Sequence, residues 1–93
     1  MSQVLDEFAA DVAHRSRWAL RHNGGRTNGA WSTGEQLAVA LVLRDEEHLT
    51  AMEYTVAEAV QRVRDGMSNP PSKEQFGQWL SRIRAAIGFE VLP

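Results

Sequence analysis

Seven consecutive apolar residues, Leu37 to Leu43, in a chain of 93 residues without a cysteine limit the possible folds more than any other feature. The run is far short of the roughly 20 residues that span a bilayer. Ser32 precedes it with Glu35 three positions on, the spacing at which a hydroxyl accepts from a backbone amide while the carboxylate reaches back. The run therefore reads as a helix, and because it is apolar all round it needs neighbours on several sides. Without thiols there are no disulfides and no thiolate metal sites, so packing alone must supply those neighbours. The expected fold is all-α, a compact single-domain bundle (residues 1–93) of four to five helices with this apolar helix at its centre.

The remaining segments agree with that expectation, and no stretch alternates long enough to argue for a strand. A first helix is expected from about Gln3 to Arg21, with Val4, Leu5, Phe8, Val12, Ala13, Ala19 and Leu20 as its apolar stripe and Gly24 and Gly25 ending it. Residues 45–53 read as a separate short helix capped by Asp45. Thr55 with Glu58 opens another, striped by Val56, Ala59, Val60 and Val63 and closed by Gly66. After the linker Asn69-Pro70-Pro71, Ser72 with Gln75 opens a last helix carrying Phe76, Trp79, Leu80, Ile83 and Ile87. The apolar tail Phe89, Val91, Leu92 is expected either to fold back on the core or to dock on a partner.

Composition narrows the class of protein. With 43% apolar and 24% charged residues the chain is of ordinary globular type, neither disordered nor membranous. Asp6, Glu7 and Asp11 stand where a secretory signal would carry positive charge, so a cytoplasmic location is expected. The histidines at 14, 22 and 48 have no metal-ligand spacing. No serine sits in a nucleophile elbow. No catalytic, cofactor or metal site is expected, and the protein reads as a non-enzyme.

Charge is segregated along the chain. Between Val12 and Gly34 lie four arginines, two histidines and two tryptophans but no acid, in a chain of net charge −2. His14, Arg17, Trp18 and Arg21 fall at spacings of three and four and so share a helix face. Arg15 and His22 flank it, while Arg26 and Trp31 stand where they can complete a concave rim. Guanidinium groups fork onto carboxylates or phosphates, and arginine beside tryptophan suits an interface or base stacking. The same pattern, acids in the first turns and cations in the last, also suits a solvated helix with its dipole, and Trp18 and Trp31 read equally as core. Two further patterns are weaker. The loop Asn23 to Gly29 lacks the lysine and the preceding strand of a nucleotide-binding loop, and reads as a flexible turn. A helix-turn-helix over residues 49–65 would present the mixed-sign face Glu58, Gln61, Arg62, Arg64, Asp65 to phosphates.

Two resemblances accompany these patterns. Leu49 to Val60 resembles the helix–turn–helix of ubiquitin-associated domains, with Glu53 in place of the glycine that gives their turn its left-handed freedom. The block Trp31 to Leu43, the Met52-Glu53-Tyr54-Thr55 turn and Gln78-Trp79-Leu80, about half the chain, resemble small accessory proteins of actinobacteria and their bacteriophages. Nine arginines against one lysine agree with a GC-rich coding sequence. That resemblance implies a non-enzymatic accessory protein, such as a phage-encoded modulator of a host protein, and assigns no functional residues. The expected function is protein binding by the face bearing His14, Arg17, Trp18 and Arg21, with Arg26 and Trp31 at its edge and an acidic surface of a host protein as partner. Sequence-tolerant nucleic-acid binding by the same face is the alternative, and homodimer formation through the tail or Trp79 a third possibility.

Overall fold

Side-chain caps decide where the helices begin. The computed structural model describes residues 5–89 and contains α1 (Glu7–His22), α2 (Thr33–Leu43), α3 (Glu46–Ala51), α4 (Val56–Asp65) and α5 (Lys73–Ala86). At each start a capping side chain accepts from the amide three residues on: Asp6 from Ala9, Ser32 from Glu35, Asp45 from His48, Thr55 from Glu58 and Ser72 from Gln75. At Ser32, Thr55 and Ser72 the return bond closes the full capping box. Among the described residues there is no strand, and residues 45–53 form the separate short helix α3 with its turn.

The central position of α2 follows from its lack of a polar face. All of Leu37 to Leu43 are buried, and α2 packs against each of the other four helices. The chain leaves it through Arg44 in the left-handed region, at φ 54. Its last carbonyls, which no helical amide reaches, are taken up by Arg84 of α5: Nε donates to Val42 O and Nη2 to Leu41 O, each at 2.8 Å. The radius of gyration is 12.3 Å, in line with the ~12 Å of a folded chain of this length.

The first helix differs from expectation at its start. Asp6 is extended (φ −65, ψ 167), so α1 begins at Glu7, and Leu5 precedes it outside the helix. The stretch from Gln3 to Val4 that was expected to be helical lies outside the described residues. The Asp6 carboxylate accepts from Ala9 N at 2.8 Å and from the Trp79 indole N–H at 3.0 Å, so one side chain caps α1 and ties it to α5. Small residues, Ala9, Ala13, Ser16 and Ala19, with Val12 make up the buried face of α1. Leu20, expected in that stripe, is 39% exposed. Phe89 is also exposed, and Val91 and Leu92 of the apolar tail lie outside the described residues.

Glu53 gives a second correction. Left-handed freedom was expected to be lost with the missing glycine, yet Glu53 sits at φ 65. The conformation is uncommon for a residue with a Cβ. It is held by Glu53 N donating to Thr50 O and Tyr54 N donating to Leu49 O, both at 2.9 Å.

Candidate interaction surface

With about 100° between successive residues of a helix, α1 divides its polar side chains among three directions. Asp11, Arg15, Trp18 and His22 run down the flank facing the loop before α2. His14 and Arg21 point outward. Arg17 lies on the flank facing α5, where its Nη2 donates to Ala86 O at 3.0 Å.

On the first flank Trp18 and Trp31 meet edge to face, centroids 5.4 Å apart at 64°. His22 tilts against Trp18 at 6.1 Å. The Arg15 guanidinium stands 5.1 Å over the Trp31 ring and pairs with both Asp11 (2.9 Å) and Glu35 (2.8 Å). It thus braces α1 against the start of α2. Both tryptophans are half-buried, and neither indole N–H has a hydrogen-bond partner among the described residues.

The loop Asn23 to Gly29, read from sequence as a flexible turn, and the two residues after it carry side-chain bonds. Asn23 Nδ2 donates to Arg26 O and Thr27 O, and Asn28 accepts from Ala30 N. Gln36 Nε2 donates to Trp31 O at 2.8 Å, and its Oε1 lies 3.0 Å from His48 Nε2, which lies 2.7 Å from the buried Thr27 hydroxyl. Since the Gln36 nitrogen faces carbonyls, its oxygen must accept, which assigns the imidazole proton to Nε2. Gly24 and Gly25 make the bend at φ 63 and 80.

Of the six predicted residues, His14, Arg17, Trp18 and Arg21 lie on α1, and Arg26 and Trp31 in the loop that follows it. Trp18 and Trp31 come together, Arg17 turns to α5, and Arg26 pairs with Glu47 of α3 at 2.8 Å. The hydrogen bond and charge of Glu47, with the charge of Asp45, hold the Arg26 guanidinium above its ordinary pKa. Both partners of this pair are largely solvated, so it contributes little to stability. His14 and Arg21 are exposed, with no hydrogen bond or ion pair among the described residues. A groove of about 830 Å³ does exist, but at the other end of α1, where Phe8, Val63, Met67 and Trp79 help line it and none of the six residues does. No protein-family model, curated protein or solved structure matches this chain.

Sequence reasoning missed how the acids are used. Asp11 and Arg15, four apart on one helix, are a recognisable pair, but the second carboxylate on Arg15 comes from Glu35 across the loop. Within the basic segment Arg17 and Arg21 are left without acids after these pairings, as are Arg62, Arg64, Lys73 and Arg82 on α4 and α5. No group of three or more potential metal ligands occurs among the described residues, nor is any helix there long and apolar enough to cross a membrane.

Proposed function

We propose that the protein is a non-enzymatic accessory module of the cytoplasm that binds another protein through the outer side of α1. As the sequence resemblance implies, a phage-encoded modulator of a host protein is the kind of protein we have in mind. The observation that carries this reading is a run of exposed cations with no internal acid, set beside two half-buried tryptophans whose indole N–H groups are unused. Arginine and tryptophan are the side chains that dominate binding energy at protein interfaces. On this reading Trp18 and Trp31 form a rigid apolar platform braced by Arg15, and Arg17 and Arg21 meet carboxylates of the partner. Arg26 extends the surface at its rim, where Glu47 is readily exchanged for an acid of the partner.

The test is capture of tagged protein from an actinobacterial lysate with and without nuclease, comparing the native chain with the Arg17→Glu/Arg21→Glu variant. A dominant captured protein that survives nuclease is expected to fall at least ~10-fold with the variant, while helical circular dichroism is unchanged. Capture equal in both proteins overturns the reading. Capture abolished by nuclease assigns the same face to nucleic acid.

A further inference from the structure

The free guanidinium groups of α1 are spaced for a particular kind of partner. Arg17 and Arg21 are four residues apart, which separates them by about 6 Å along the helix and about 40° around it. Arg17 is held in place, since one of its donors is bound to Ala86 O, and the rest of its five N–H groups remain for another acceptor. Beside Arg17 on the surface of the same helix, three residues on, lies Leu20, 39% exposed. Apolar surface adjoining two cations calls for a partner with carboxylates on one edge and an apolar side chain next to them.

We propose, resting on the reading above, that the partner element is an acidic amphipathic α-helix with two carboxylates one turn apart and an apolar residue between them, lying along the outer side of α1 with its carboxylates on Arg17 and Arg21. A strand also repeats its side chains at about 6.6 Å on one face. Among the described residues, however, there is no sheet edge to extend, and a lone strand on a helix would bury unpaired backbone amides and carbonyls. A helix satisfies its own. Nucleic acid is disfavoured here, because two free arginines neutralise about two phosphates, and affinity for duplex scales with that number.

Two synthetic peptides of identical composition and about 20 residues, long enough to be helical in alanine-rich form, test the proposal. One carries glutamates at i and i+4 flanking a leucine; the other carries them at i and i+2, on different faces. Titration followed by nitrogen-proton spectra of the full chain is expected to give at least 10-fold tighter binding of the first peptide, lost in an Arg17→Ala/Arg21→Ala variant of unchanged circular dichroism. Equal affinity for both peptides, binding of neither, or tighter binding of an oligothymidylate overturns the proposal. If lysate capture still depends on Arg17 and Arg21 in that event, the protein-binding reading stands and only the helical partner fails. If capture ignores them, both fail.

Discussion

Trp79 and the Trp18–Trp31 pair are chemically the same residue in opposite states of completion. Trp79 is 5% exposed, stacked between Phe8 at 5.4 Å and Phe76 at 5.3 Å, and its N–H is bonded to Asp6. Every part of it, ring and polar edge, has a partner inside the chain. Trp18 and Trp31 are half-buried, each packed against the edge of the core, against the other and against one cation or imidazole, and their N–H groups have no partner among the described residues. A buried indole usually finds an acceptor. The N–H groups of Trp18 and Trp31 are not buried, so they need no internal acceptor; on the proposed function they are the edge a partner would meet, whereas the N–H of Trp79 is spent on the fold.

The largest effect expected from this contrast is on stability. Trp79→Ala removes a fully packed ring and leaves the Asp6 carboxylate with one donor fewer, which costs about 3–5 kcal/mol. That approaches the whole stability of a small domain, so Trp79→Phe serves as the milder companion, losing mainly the hydrogen bond at about 1–3 kcal/mol. Trp18→Ala, from a half-buried site, is expected to cost about 1–2 kcal/mol and to abolish partner capture. Urea midpoints rank the three. A Trp18→Ala loss equal to that of Trp79→Ala would break the comparison and make Trp18 a core residue.

A smaller effect of opposite sign is expected two residues before Trp18, on the inner face of α1. The Ser16 hydroxyl is fully buried and has no hydrogen-bond partner among the described residues. Ser16→Ala removes a desolvated polar group among alanines and is expected to stabilise the protein by about 1 kcal/mol, read as a higher urea midpoint with unchanged slope. The gain would show that the interior contact of α1, unlike the clasp at Trp79, is left incomplete.

What the sequence disclosed, and what it did not, follows from the range of each interaction. The α2 core and its cap were readable because a capping box spans three residues and an all-apolar run has one reading. The start of α1 was placed too early because apolar periodicity continues through Leu5, while the Asp6 cap that stops it is a single local bond. The spacing of His14, Arg17, Trp18 and Arg21 placed them on one side of a helix. Their division among flanks was not readable, since Arg17 finds its acceptor 69 residues away and Trp79 finds Asp6 73 away. Nothing within α1 tells which flank will meet α5 and which the loop. Arg84 was silent for the same reason, its two carbonyl partners lying 42 and 43 residues back.

The smallest expected effect sharpens the comparison by isolating acid sensitivity that belongs to neither tryptophan site. Glu58 closes the α4 cap, and its carboxyl is held below the usual range by the hydrogen bond from the Thr55 amide and then by that of the Thr55 hydroxyl. A carboxyl with a lower pKa in the folded than in the unfolded state, where it titrates near about 4.3, stabilises the fold above that pH and loses the contribution as pH falls through the folded value. Glu58→Gln keeps the box geometry, as Gln75 does for α5, but removes the charge near the helix N-terminus. The native chain is therefore expected to melt slightly higher than Glu58→Gln at pH 7, with the two converging in acid. The reciprocal Gln75→Glu should gain the same pH dependence at α5. A gap between native and Glu58→Gln that widens on acidification would reverse the sign and show that the Glu58 carboxylate does not help to hold the cap.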